Sequence, residues 1–282
     1  MIDLHLHSSA SDGTFSPSEV VRLAAAAGLS AVSLTDHDTA EGIPEARSQA
    51  AASGIEFLPG IEMTCVWRGT EIHLLGYFLE PDLPGFQEAL GGFAKKRAER
   101  NEAILDNLAE DGIFLEKREL CPPDRGLEHV TLGDFARALT ERGVTREKKE
   151  AMQSYLRTGG RYVSARDSAT PEEVLAFFRA FHIWPSLAHP AAYHLKEETL
   201  GELLQELLAG GLRGIEIWHP SQTSYESARL LTISRLLHLL PTGGSDFHGT
   251  SKPEIRIGRG FGSLNVQDSV LAEMKRDYAT LP

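Results

Sequence analysis

The sequence predicts an α/β protein with a mostly parallel sheet, open or closed into a barrel. Two observations carry this expectation. Apolar runs of strand length alternate with amphipathic segments of helix length at both ends of the chain, the pattern of repeated β–α units. Strand after strand then closes on His, Asp or Glu, at the edge where parallel α/β folds bind their ligands.

The elements follow in order. "MIDLHLH" reads as the first strand. "SPSEVVRLAAAAG" reads as a helix with Ser16 or Ser18 near its start and Gly28 just past its end. "LSAVSLTDHD" is a strand with a polar end, and "GIPEARSQAAASG" is a helix closed by glycine. "IEFLPGIEMTCVW" and "TEIHLLGYFL" are two strands around the Arg68–Gly69 turn. From about Pro84 to Gly160 the chain turns charged and mostly helical. Its first segment, "FQEALGGFAKKRAERNEAILDNLAEDG", is one long helix with a candidate break at Gly91–Gly92. "TLGDFARALTERG" and "REKKEAMQSYLRTGG" are shorter helices, and "CPPDRG" is a loop. Alternation resumes with "PEEVLAFFRAF", "HIWPSLAHP", "ETLGELLQELLAGG", "LRGIEIWHP", "SYESARLLTISRLLHLL" and "PTGGSDFHG", and a final helix "VQDSVLAEMKRDY" closes the chain.

Bulk properties narrow the function. The 282 residues suffice for one large α/β domain or two smaller ones. A net charge of −12 argues against a nucleic-acid duplex as partner. It leaves room for a small anionic substrate, because bound metal ions reverse the local sign. Cys65 and Cys121 stand in unrelated contexts, so neither a disulfide framework nor a Cys-rich zinc site is expected. There is no signal-peptide pattern and no apolar run of spanning length, so a cytoplasmic protein without a membrane partner is expected.

The chemistry sits at the strand ends: His5, His7, His37, Glu62, His73, His189, His219, Asp246 and His248. Residues two apart on a strand face the same side, so His5 with His7 can hold one ion, and Asp246 with His248 can present a second pair. Burying so many imidazoles and carboxylates without partners costs on the order of a few kcal/mol per group. Metal ions supply those partners. The donor set mixes nitrogen and oxygen without sulfur, which suits Mn, Fe, Zn or Co in an open, reactive site. There are more donors than one ion needs, which implies a cluster of two or three ions that polarises an ester or phosphoryl oxygen and acidifies a water.

"DLHLHSSASDG", "LTDHD", "PGIEM", "HLLG", "LAHP" and "GSDFHG" together resemble the PHP (polymerase and histidinol phosphatase) family, most closely its stand-alone bacterial metal-dependent phosphoesterases. The resemblance runs from Met1 to about Gly249. It implies a distorted (β/α)7 barrel over residues 1–83 and 161–282, with a helical insertion at 84–160 covering the active site. It also implies a trinuclear metal centre. One ion would take His5, His7, Glu62 and Asp246; a second would share Glu62 and add His73 and His189; a third would take Asp12, His37 and His248. A hydroxide bridging the metals would attack phosphorus, with Glu62 and Asp246 as catalytic ligands. The substrate would be a small phosphate ester: a nucleotide, cyclic nucleotide, related phosphate or short RNA. Asp12 enters only through the resemblance.

Some positions depart from the family pattern. Leu132 and Asp134 stand where an Arg-x-His precedes "FAR" in nucleotide phosphatases of this group, and Ala192 replaces an arginine after "HP". Arg137, Tyr193, His194, Lys196 and His219 remain as candidate substrate contacts, with His219 or His194 as the proton donor to the leaving group. Other features read as structure. Asp36 and Asp38 flank His37 as orienting or capping groups. "KKRAER" reads as a solvated helix face, His182 and His238 as packing residues, and Cys65 as a small buried hydrophobe.

Two rival functions exist. A C–N hydrolase of the amidohydrolase type also begins with His-x-His, but many of these bridge their metals with a mid-barrel lysine, and no lysine precedes Lys95. A non-catalytic PHP module would not account for a complete ligand set.

Overall fold

The computed structural model describes residues 1–123, 125–164 and 168–281; Asp124, in the expected "CPPDRG" loop, lies outside them. The chain forms two compact units. One comprises residues 1–64, 72–86 and 171–282, and the other residues 65–71 and 87–170.

Seven strands make one sheet in sequence order: β1 (Ile2–Asp3), β2 (Ala31–Leu34), β3 (Glu56–Trp67), β4 (Thr70–Tyr77), β5 (Trp184–Leu187), β6 (Gly214–Trp218) and β7 (Leu240–Gly243). The helices are α1 (Pro17–Ala26), α2 (Ile43–Ser53), α3 (Phe86–Glu110), α4 (Lys117–Leu120), α5 (Leu132–Glu141), α6 (Lys148–Ser154), α7 (Pro171–Ala180), α8 (Glu197–Ala209), α9 (Ser224–Leu236) and α10 (Asp268–Tyr278).

Pairing is parallel from β1 to β3 and from β5 to β7. β4 breaks the parallel pattern and runs antiparallel to β5. The cause is the two-residue turn at Arg68–Gly69, both at positive φ; a parallel crossover needs a dozen or so residues. Bonds between the chain after β1 and the end of β7 close the sheet. Leu4 N–H donates to Gly243 O (3.2 Å), Asp246 N–H to His5 O (2.9 Å) and His7 N–H to Phe247 O (3.0 Å). Gly244 permits this approach, since a Cβ there would lie 2.4 Å from the His5 nitrogen. The product is the distorted seven-stranded barrel that the resemblance implies.

Five helices of this unit end alike. After α1, α2, α7, α8 and α9 a residue in the left-handed region lets the next N–H reach back five residues: Leu29 to Ala24 O, Ile55 to Ala50 O, Ile183 to Phe178 O, Leu212 to Leu207 O and Leu239 to Ser234 O. Glycine fills the cap at Gly28, Gly54 and Gly211, but His182 and His238 fill it after α7 and α9. These two histidines are exposed helix caps and not packing residues. α1 opens on Ser16 in a capping box with Glu19, with Pro17 in its first turn. One part of the core joins Ile2, Leu4, Leu75, Tyr77 and Trp184 to Val270, Leu271 and Met274 of α10.

The second unit has its own core, built from Ile104, Leu108, Leu120, Phe135, Leu139 and Val163 among others. α3 runs unbroken through Gly91–Gly92. Both glycines are exposed, so only the local propensity cost of about 1 kcal/mol each is felt. "KKRAER" is not a solvated face throughout. Arg97 and Arg100 are buried, and Arg100 Nη1 lies 3.2 Å from the Glu71 carboxylate on the hairpin. Leu132 is buried in this unit's core, while Asp134 closes a capping box with Thr131 at the start of α5. The two departures from the family pattern thus have structural roles. Cys65 is fully buried, and neither cysteine is in a disulfide. Among the described residues no helix is long and apolar enough to cross a membrane.

Candidate metal centre

The carboxyl ends of the strands deliver the donors. His5 and His7 follow β1, two residues apart, and both are fully buried. His37 follows β2 and bridges in parallel to Glu62 of β3. His73 lies on β4, His189 two residues past β5, Glu216 on β6, and His219 just past it. Asp246 and His248 follow β7. Asp12 is carried by the turn after His7. That turn is pinned by Asp36, which accepts from Ser8 N–H (2.7 Å), Ser8 Oγ (2.7 Å) and Ser11 Oγ (2.6 Å). Asp38 accepts from Thr64 N–H (2.8 Å), so both aspartates flanking His37 fix backbone.

Glu62 is the hub. Its Oε1 lies 2.8 Å from His73 Nδ1 and 3.0 Å from His189 Nε2. Its Oε2 lies 3.1 Å from both His5 Nε2 and His7 Nε2, and 3.3 Å from His37 Nδ1. One oxygen thus faces each side of the cluster. Asp246 Oδ1 is 3.2 Å from His7 Nε2 and 3.6 Å from His5 Nε2. Asp12 Oδ1 is 3.3 Å from His248 Nε2, and its Oδ2 is 3.9 Å from His37 Nε2. Donor atoms within 4.8 Å of one another form four groups: His5, His7, Glu62 and Asp246; His7, Asp12, His37 and His248; His37, Glu62 and His73; and His5, Glu216 and His219.

The residues fit metal ions. His7 approaches two carboxylates closely, yet neither of its nitrogens makes a hydrogen bond of proper geometry, and His189 Nδ1 is buried without a partner. Lone pairs that converge without pairing suit a shared cation. The far ring nitrogens are oriented. His5 Nδ1 donates to Glu216 Oε1 (3.1 Å), and His248 Nδ1 donates to the Asp246 carbonyl (2.8 Å). Each arrangement turns Nε2 toward the cluster, the usual support of a metal-bound histidine.

Electrostatics prepares the donors. Burial opposes ionisation of Asp12, Glu62 and Asp246, but the surrounding histidine rings, and for Asp246 above all Lys252, hold all three well below the usual carboxylate range. Burial pushes His37 and His189 down, so they stand as neutral imidazoles, the ligand form. For His5 and His7 burial is outweighed by the carboxylates. His5 rises well above its ordinary value, and His7 rises to about 9.

The candidate substrate contacts are placed differently. His219 is buried. Its Nδ1 accepts from Ser221 N–H (3.1 Å) and Ser221 Oγ (2.7 Å), so the neutral ring carries its proton on Nε2, 3.5 Å from Asp246 Oδ2. The Tyr193 hydroxyl is committed to backbone, accepting from His73 N–H (2.9 Å) and donating to Ala188 O (2.8 Å). Ala192, His194 and Lys196 are exposed around the turn that follows His189. Arg137 belongs to the helical unit. There it donates to Leu120 O (3.1 Å) and pairs with Glu141 and Asp134. Two residues of the site escape sequence reasoning. Glu216 hides in the apolar run "GIEIW", where a lone acid is itself the signal, because a buried carboxylate requires a partner. Lys252, in the loop after His248, places Nζ 2.7 Å from Asp246 Oδ2.

A barrel whose strand ends gather histidines and carboxylates around one shared glutamate defines a metal-dependent hydrolase. The family model of the PHP domain matches residues 3–161, and the chain belongs to the PHP domain family. It is 29% identical to a 3',5'-nucleoside bisphosphate phosphatase of Chromobacterium violaceum, covering 91% of this chain and 90% of that one. It is 32% identical to a 5'-3' exoribonuclease of Haemophilus influenzae, over 95% and 96% of the two chains. A solved structure from Bifidobacterium adolescentis, assigned as a metal-dependent phosphoesterase, matches with a TM-score of 0.78 at 27% identity, over 96% of this chain and 94% of that one. The chain is a hydrolase of phosphoric ester bonds.

Proposed function

We propose that this chain hydrolyses phosphate esters of nucleotides or short RNA, with two to three divalent ions of the Mn, Fe or Zn type held around Glu62. The observation that carries this reading is the Glu62 carboxylate, whose two oxygens face different sets of imidazoles. A phosphoester needs charge stabilisation on its non-bridging oxygens and an activated water, and the bound ions supply both. The activities of relatives on a nucleoside bisphosphate and on RNA support this substrate class.

The residues divide the work as follows. His5, His7, Glu62 and Asp246 hold one ion; Glu62, His73 and His189 a second; Asp12, His37 and His248 a third. The donor grouping supports the first set as it stands, brings His7 beside the third, and joins His37 rather than His189 to Glu62 and His73, with His189 Nε2 3.0 Å from Glu62. Glu216 orients His5 through Nδ1 and fixes the His189 backbone by accepting its N–H at 2.7 Å. His219 holds a proton at Nε2 on the Asp246 side of the site and offers it to an oxygen of the substrate or leaving group.

A phosphate-release screen with Mn²⁺ across nucleoside bisphosphates, cyclic nucleotides, sugar phosphates and short RNA tests the reading. Release from a nucleotide or RNA, lost in Glu62→Gln together with bound metal, is the expected result. Release from sugar phosphates alone overturns the substrate class, and full activity in Glu62→Gln overturns the site.

A further inference from the structure

We propose that Lys252 is the substrate-phosphate anchor of this chain. The inference rests on the phosphoesterase reading and deepens it. Its Nζ lies 2.7 Å from Asp246 Oδ2. Oδ1 of the same carboxylate turns the other way, toward His7 and His5. Asp246 therefore uses one oxygen for the ion-binding group and presents the other to Lys252 and, at 3.5 Å, to His219 Nε2. An ammonium has three N–H donors in a fixed tetrahedral array. One is taken by Oδ2, and two remain. The Lys252 side chain is 40% exposed, and the proposal assigns those two donors to a phosphate bound beside the cluster.

The loop that carries Lys252 is built to hold it there. Thr250 N–H donates to Thr14 Oγ1 (2.8 Å), and Thr14 N–H donates to the His248 carbonyl (3.2 Å). Lys252 N–H closes the short turn onto Gly249 O (3.3 Å). A cation pre-positioned beside an ion cluster loses little freedom when it meets a phosphoryl oxygen, and charge-assisted bonds are the strong ones. His219 Nε2–H converges on the same Oδ2. An anion seated next to Asp246 therefore meets two donors from two different strand ends.

The test compares Lys252→Met and Lys252→Arg with the parent protein, all loaded with Mn²⁺. Inorganic phosphate is the calorimetric probe, alongside metal content by elemental analysis and KM and kcat on the best substrate of the screen. Loss of one charge-assisted contact predicts that phosphate Kd and substrate KM rise about tenfold in Lys252→Met. Metal content and melting temperature stay at the parent's values, and Lys252→Arg recovers most of the phosphate affinity. Unchanged phosphate affinity in Lys252→Met overturns the proposal. So does loss of bound Mn²⁺ in that variant, which makes Lys252 a positioning residue for Asp246. Phosphate binding is read without turnover. A parent that binds phosphate through Lys252 but hydrolyses no ester in the screen refutes the phosphoesterase reading and leaves the anchor standing.

Discussion

Replacing Glu216 by glutamine isolates the support of the metal centre from its ligands. Glu216 is fully buried, and both its oxygens accept: Oε1 from His5 Nδ1–H at 3.1 Å and Oε2 from the His189 N–H at 2.7 Å. An amide of the same shape has one accepting oxygen. Its NH₂ must therefore face one of the two donors, which is left unpaired in the interior. That costs about 1–3 kcal/mol, and the surviving bond is no longer charge-assisted. Burial opposes ionisation of Glu216, but His5 and His219 hold its carboxyl below the usual range, so the native residue is an anion. Without that anion the His5 ring is a poorer donor at Nε2 and less fixed in orientation. Removing such a support typically weakens metal binding about 10- to 100-fold. Calorimetric titration with Mn²⁺ reads the affinity, and a urea midpoint on the metal-free protein reads the stability. A folded Glu216→Gln variant that binds Mn²⁺ within about twofold of the parent refutes the reasoning.

Other outcomes follow from the same geometry. Mn²⁺ binding at neutral pH should release at least one proton, because His7 is held at about 9 and His5 well above its ordinary value; titrations in buffers of different ionisation enthalpy count it. These raised values stabilise the metal-free fold fully below the unfolded histidine pKa of about 6.5. For His7 that stability is lost as pH rises through about 9, so metal-free melting temperature should fall over that window, and an unchanged one contradicts the assignment. Asp36→Ala leaves the buried Ser8 N–H unpaired; it should cost about 1–3 kcal/mol and lower Mn²⁺ stoichiometry by loosening the turn that carries Asp12. His182→Gly relieves a positive φ at an exposed cap; it should raise stability by up to about 1 kcal/mol with activity intact, and thermal melting with a phosphate-release assay checks both.

The donors readable in the sequence are those at strand ends, because parallel β–α units converge there whatever the rest of the chain does. His5, His7, His37, Glu62, His73, His189, Asp246 and His248 all sit in or just past a strand, and the fold gathers them, His189 through its contact with Glu62. Asp12 sits on a loop whose course depends on Asp36, twenty-four residues later, and periodicity says nothing about such a contact. Glu216 is masked by its apolar neighbours. Lys252 is masked by a loop sequence, "TSKPE", that looks like any solvated turn. The charged face of α3 is misread for a related reason. Whether Arg100 is solvated depends on Glu71 of the β3–β4 hairpin, and helical spacing does not reveal what a face meets. In each case the missing term is a tertiary partner, while what is legible is fixed by local chain geometry.

The backbone shows where function overrode local preference. Asp38, His189 and Asp246 all lie at positive φ, at 50°, 24° and 53°. For residues other than glycine this costs on the order of 1–2 kcal/mol each. All three stand just past the ends of β2, β5 and β7, in or beside the cluster. There the main chain must leave the barrel while a side chain still faces Glu62 or, for Asp38, ties the turn to β3. Glycine would satisfy the turn and lose the donor. The same conformation recurs after α7 and α9 at His182 and His238, where the side chains are exposed. Equivalent caps after α1, α2 and α8 carry glycine without penalty. Positive φ alone therefore does not mark the site. What marks it is positive φ on a residue whose side chain the fold also requires, and at His189 and Asp246 that requirement is a donor atom in the cluster around Glu62.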